Sequence, residues 1–214
     1  YSAFNADGSP RPGHSTRWFV RAWQRFATIV RGGSVGAINR HLVRLGMPRL
    51  LRAASNRART YRVHGVGNGL ARPRVAMVWN PQTISNPYIH ANRPAKYWPG
   101  RQYVDWVAAD IYSKFASPGV RLALRRFQHR YRHYPMAIGE YSPWDNDYQG
   151  KFVHWLFFWA RHHARVRMLV NYRSVTPKSA FDISRYPTAR LKLSHLLDSG
   201  HYMPYAPGLK PKHH

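Results

Sequence analysis

Four short apolar runs, separated by stretches of helical periodicity, constrain the fold of this chain more than any other feature. Val75-Ala76-Met77-Val78-Trp79 closes on Asn80-Pro81, and Val104 to Tyr112 carries Asp105 and Asp110. Met136 to Tyr141 ends in Glu140-Tyr141, and Val166 to Tyr172 ends in Asn171-Tyr172. Continuous apolar runs of this length read as buried strands when helices lie between them. The spacing of Leu122, Leu124 and Phe127 predicts a helix over 120–131. Aromatics predict another over 152–164, and a last helix is expected over 183–197. Alternating strands and helices predict a parallel sheet covered on both faces. Four such units make half of an eightfold barrel, whose complete form takes about 250 residues.

The part before the first run is helical. Ser15 is an N-cap candidate and Gly32-Gly33 a stop, which frames a helix over 15–31. Phe19, Ala22, Trp23, Phe26, Ile29 and Val30 fall on one face of it. A short second helix is expected over 34–45. From Gly46 to Arg74 the chain is rich in arginine and glycine without periodicity, a long connection that is either functional or an insertion.

Composition excludes several classes of function. The 214 residues contain no cysteine, so disulfides and thiolate metal sites are out. The histidine pairs His162-His163 and His213-His214 lack carboxylates at ligand spacing, and no metal or other cofactor is expected. No apolar stretch approaches the roughly 20 residues of a membrane span. Lys and Arg number 34 against 8 Asp and Glu, a formal charge of +26. Such a chain is attracted to polyanions. The charge is spread along the sequence, the aromatics follow strand ends, and no nucleic-acid motif is present, so no specific nucleic-acid partner is expected. Residues 201–214 read as a basic tail after a domain over 1–200.

In parallel α/β proteins the chemistry collects at the C-terminal ends of the strands. Here those ends supply Trp79-Asn80-Pro81-Gln82, Asp110-Ile111-Tyr112, Glu140-Tyr141 and Asn171-Tyr172. Glu140 is the sole glutamate of the chain. Aromatics with few polar groups suit sugar rings, whose C–H faces stack on indoles and phenols. Glycoside cleavage takes two carboxyls, of which Glu140 can be one. Tyr112 is placed to hold Glu140 ionised and aimed, Asn80 contributes an amide, and Trp79, Trp144 and Tyr172 are the stacking candidates. Asp110 reads as a buried structural carboxylate. Asp145 and Asp147 read as a turn and a helix cap, and Asp105 as structural.

These residues resemble the family-26 glycoside hydrolases, the β-mannanase-like retaining enzymes. Tyr97-Trp98-Pro99-Gly100-Arg101-Gln102-Tyr103-Val104-Asp105-Trp106-Val107 is similar to the family's YPGD-x-YVDWVG passage entering the sixth strand. Asp110-Ile111-Tyr112 looks like its D-x-Y, and Ile138-Gly139-Glu140-Tyr141 looks like the I-[SG]-E-[FY] of the seventh strand. Val78-Trp79-Asn80-Pro81 is similar to the WxP of the fifth. The likeness runs from about Tyr1 to Leu197. It implies a TIM (β/α)8 barrel of which this chain covers about strands five to eight, with Glu140 as nucleophile and Tyr112 touching it. It also implies an acid/base glutamate upstream of Tyr1, so this piece alone is expected to be inactive. The implied activity is retaining endo-hydrolysis of a β-linked polysaccharide, mannan or a related β-glycan, by a secreted or cell-surface parent. Arg101 replaces the usual aspartate after Pro-Gly, and Tyr172 stands where a tryptophan often lines the sugar site. Both departures bear on which glycan is cut. Two other readings follow from the residues: a non-catalytic carbohydrate-binding barrel, and a basic polyanion-binding protein.

Overall fold

A computed structural model describes residues 2–50, 75–174, 176 and 179–203, together with the backbone of 69–70. Most of the Gly46–Arg74 connection and of the 201–214 tail lies outside the described residues. The chain forms two compact units.

The first unit comprises Tyr1–Trp79 and Ile84–Trp106. Its first helix, α1, spans Thr16–Val30 behind the expected cap, the Ser15 side chain accepting from the Trp18 N–H. The helix stops at Gly-Gly because Gly32 and Gly33 take φ of +68° and +120°, a backbone region that side chains resist. Helix α2, Val35–Arg44, is capped the same way by Ser34. Strand β1 (Gly33–Ser34) pairs antiparallel with β2 (Gly69–Leu70). Strand β3 is short, Val78–Trp79 rather than the full run from Val75.

Ala27, Met77 and Tyr103 pack together with Trp23 and Leu45, while Ile38, Leu42 and Met47 pack with Ile29 and Leu50. Burying each of the larger aliphatic side chains contributes about 1.5–3 kcal/mol. The apolar face read for α1 is only partly used, since Phe26 is exposed. Asp105 is structural as expected: its two oxygens accept from the Arg31 guanidinium and the Met77 N–H, both at 2.8 Å.

The second unit comprises Asn80–Thr83 and Val107–His214. Strand β4 (Trp106–Tyr112), from Val107 onward in this unit, pairs parallel with β5 (Met136–Ser142), and β5 pairs parallel with β6 (Val166–Asn171). Three helices follow these strands. Helix α3, Pro118–Arg130, is capped by Ser117, α4 spans Lys151–Arg161, and α5 spans Pro187–Asp198. The fold is thus mixed α/β with a parallel sheet, and the described residues do not form the expected eightfold barrel. Ala108, Ala109, Ala137 and Ile138 are wholly buried at the centre of the β4–β5 pairing.

Three details depart from the sequence reading. The last helix does not run unbroken from Ile183. A single turn at Ile183–Arg185 is followed by Tyr186 at φ −126°, ψ 70°, and α5 starts only at Pro187. A proline forces its predecessor out of helical geometry, and it then sits well at the first helical position. Strand β6 is not covered on both faces, because Met168 and Val170 are 43% and 40% exposed. Asp110 is exposed rather than buried.

Candidate active site

On the β4–β5 pair, Ala109 is the partner of Ile138, yet Asp110 is the partner of Glu140. Against β6, Ile138 pairs with Leu169 and Tyr141 with Asn171. Strand β5 therefore holds one extra residue relative to both neighbours between Ile138 and Tyr141. This is a β-bulge, a device that re-aims side chains. Without it, Gly139 would face Asp110 and Glu140 would be turned to the other side. With it, Asp110 and Glu140 lie side by side on one face, as do Tyr112 and Ser142 one step further on.

Gly139 leaves room here for two neighbouring side chains. A β-carbon there would sit 2.8 Å from both Asn80 Nδ2 and Asp110 Oδ1, closer than real side chains come. The space is taken by a hydrogen bond, in which the Asn80 amide donates to Asp110 Oδ1 at 2.9 Å. Although Asp110 is exposed as a residue, the protein around its carboxyl displaces part of the water and raises it above its usual value, the Asn80 bond draws it back, and the Glu140 charge raises it further. Glu140 in turn accepts a hydrogen bond from the Tyr112 hydroxyl at Oε2. That phenol is held well above its ordinary value, first by burial, then by its bond to Glu140 and by the charges of Glu140 and Asp110. It therefore remains a proton donor to Glu140 at any ordinary pH.

Aromatic rings surround the pair. The Tyr112 ring meets Trp144 edge-on at 5.5 Å and Tyr172 at 6.2 Å. Phe181 joins them, 4.6 Å from Trp144, 5.0 Å from Tyr172 and 5.6 Å from Tyr112. Phe115 closes on Trp144 at 5.3 Å. The carbonyl of Tyr141 accepts from the Tyr172 N–H and the Asn171 amide, which ties the end of β6 to β5. Ser113 Oγ accepts from the Trp144 N–H at 2.7 Å and fixes the turn that carries the indole.

Of the residues proposed from sequence, Glu140, Tyr112, Asn80, Trp144 and Tyr172 thus lie in the second unit, the first two in direct contact. Trp79 belongs to the first unit and is 1% exposed. Its indole N–H donates to the Tyr97 carbonyl at 3.2 Å and its ring meets Trp98 edge-on at 4.8 Å. Protein covers both of its faces and leaves none for a sugar ring.

Sequence reasoning missed Gly139, Phe181 and Phe115. An isolated glycine inside a strand pattern is itself a bulge signal and could have found the first. Phe181 and Phe115 follow strand ends, but nothing local distinguishes them from other loop aromatics. Asp147 acts as the expected cap, its carboxylate accepting from the Phe152 and Val153 N–H groups at 2.9 and 3.2 Å. Among the described residues there is no cluster of three His, Cys, Asp or Glu that could hold a metal ion, and no helix is long and apolar enough to cross a membrane.

No family model matches the chain, and no curated protein matches it. Among solved structures, GH26A from Muricauda sp. MAR_2010_75 is similar at 20% identity and a TM-score of 0.29. The alignment covers 45% of this chain and 28% of that protein, so the chain spans well under a third of the matched protein's length. A likeness this weak assigns no role to any residue.

Proposed function

We propose that this chain contributes the nucleophile half of a retaining endo-glycosidase acting on a β-linked polysaccharide, mannan or a related β-glycan. The observation that carries the reading is the Tyr112 hydroxyl bonded to the carboxylate of Glu140 inside a ring of aromatic side chains. A glycosidase nucleophile must be an ionised carboxylate held in one orientation beside surfaces that grip a sugar. The bulge at Gly139 aims Glu140, Tyr112 holds it, and Tyr172 offers an exposed ring. A Glu140 oxygen would attack the anomeric carbon, forming a glycosyl ester as the bond to the leaving oxygen breaks. Protonation of that oxygen falls to a second carboxyl about 5–5.5 Å away, which we assign to a glutamate preceding Tyr1. A polysaccharide substrate would place the parent protein outside the cell or on its surface.

The role of Glu140 can be tested on this chain without the acid. An aryl glycoside with a very acidic phenol leaves as the phenolate and needs no proton, and a 2-fluoro substituent slows hydrolysis of the ester. Incubation with 2,4-dinitrophenyl 2-deoxy-2-fluoro-β-mannoside should release dinitrophenolate up to one equivalent. Mass spectrometry should find the sugar on the peptide carrying Glu140, and E140Q should show neither. Oligosaccharide binding without release or adduct would overturn the assignment and leave a carbohydrate-binding protein.

A further inference from the structure

Lys114 and Arg185 differ from the cations whose side chains hydrogen-bond into the fold. Arg21 donates to the Leu45 and Gly46 carbonyls, and Arg31 to the Gln102 carbonyl and Asp105. Arg121 donates to the Ala116 carbonyl, and Lys192 to the Gln149 carbonyl. Each of those serves the fold. Lys114 and Arg185 instead approach one carboxylate, Asp145, at 4.0 and 3.8 Å, well beyond the roughly 2.7–2.9 Å of a charge-assisted hydrogen bond. All three side chains are between a third and a half exposed. The Lys114 ammonium also lies 5.1 Å over the ring of Trp144.

Position gives this arrangement its meaning. Lys114 follows Tyr112 by two residues, and the Trp144 ring beneath its ammonium touches the Tyr112 ring. Lys114 is thus one side chain removed from the Tyr112–Glu140 pair, Arg185 joins it at Asp145, the residue after Trp144, and two positive charges face a single negative one. Asp145 adopts φ +58° in a turn held by the Tyr186 hydroxyl, which accepts from the Asp145 N–H at 2.7 Å. The carboxylate is therefore set between the two cations by its backbone.

We infer that Lys114 and Arg185 form an anionic-sugar subsite beside Glu140, and that the chain prefers acidic β-glycans bearing carboxylates over neutral ones. A uronate carboxylate would take the two cations at hydrogen-bonding distance, in competition with Asp145, while its ring lies along the aromatic set. This inference rests on the glycosidase reading for the identity of the ligand as a glycan, but its test does not depend on catalysis.

The matched probes are β-1,4-linked mannohexaose and β-1,4-linked hexamannuronate, which differ only in oxidation at C6. Binding of both to the 214-residue chain is measured by calorimetry at two salt concentrations. The hexamannuronate should bind more tightly. K114Q and R185Q should each weaken it about fivefold, the upper range for one exposed ion pair, and leave mannohexaose unchanged. D145N should strengthen it, since the competitor is removed and asparagine tolerates a positive φ as aspartate does. A structural ion-pair role for these residues predicts no such gain.

The exposed pair Arg125 and Arg126 on α3 is the control for bulk charge. An R125Q/R126Q variant that loses as much hexamannuronate affinity as K114Q/R185Q would overturn the subsite, as would equal affinity for the two sugars. The sugar adduct on Glu140 reports separately on the glycosidase reading. Adduct without acidic preference sinks this inference alone, and acidic preference without adduct sinks only the catalytic assignment.

Discussion

At Gly139 a single methyl group would meet two atoms of a hydrogen bond at 2.8 Å each, so the Asn80 and Asp110 side chains would have to shift to admit it. G139A should therefore cost about 1–3 kcal/mol, the usual toll of overpacking, read as a lower urea midpoint at unchanged slope. Asn80→Ala in the same background should return part of the loss, because it removes one of the two clashing groups. Two phenols set an alkaline limit. Burial raises Tyr141 well above its ordinary value, and Tyr112 is raised by burial and by Glu140. A group raised on folding stabilises the native state below its unfolded value and loses that contribution as pH climbs towards the folded value. Stability should therefore hold to about pH 10 and fall above it by up to about 1.4 kcal/mol per pH unit for each phenol. Y141F should fall less steeply than the parent in urea titrations between pH 9 and 11. An identical slope would show that Tyr141 does not contribute.

On the scale of elements, the helix after β5 depends on a cap supplied from outside its own first turn. Gly150, at φ +62°, precedes α4 and has no side chain to cap it, so the buried carboxylate of Asp147 accepts two of the orphan N–H groups. D147A should cost about 1–2 kcal/mol, with loss of helical signal on mild heating. D147N should cost less, because an amide oxygen can still accept one of the two bonds. The strand that carries Glu140 makes the same point about element geometry. Its extra residue is felt by both neighbouring strands, so the carboxylate's direction is set by β4 and β6 together as well as by the local sequence.

For the molecule as a whole, the charge of +26 is scarcely answered by internal pairing. Among the described residues three cation–carboxylate contacts fall within 4 Å, and they use only Asp105 and Asp145. Like charges spread over a compact surface repel one another, and salt screens that repulsion within a Debye length of about 10 Å at 0.1 M. The urea midpoint should accordingly rise between 10 mM and 500 mM sodium chloride. A midpoint that falls with salt would mean that attractive pairs outweigh the repulsion.

Much of this was legible in the residues themselves. Strand and helix positions follow from periodicities within a few neighbours, and Ser15, Ser34 and Asp147 act as caps through atoms at most six residues away. Glu140 stood out as the one glutamate, at the end of an apolar run. The tertiary structure alone decided which faces are covered and which side chains meet. Trp79 ends a strand just as Tyr112 does, yet Tyr97 and Trp98, almost twenty residues on, bury it. Phe181 joins the aromatic ring from nearly seventy residues beyond Tyr112, and no pattern in a chain of 34 basic residues singles out Lys114 and Arg185. The division follows the range of the forces. Backbone hydrogen bonding and propensity act between near neighbours and are written in short stretches. Burial, the bulge's effect on register and the pairing of charges arise only when distant segments pack.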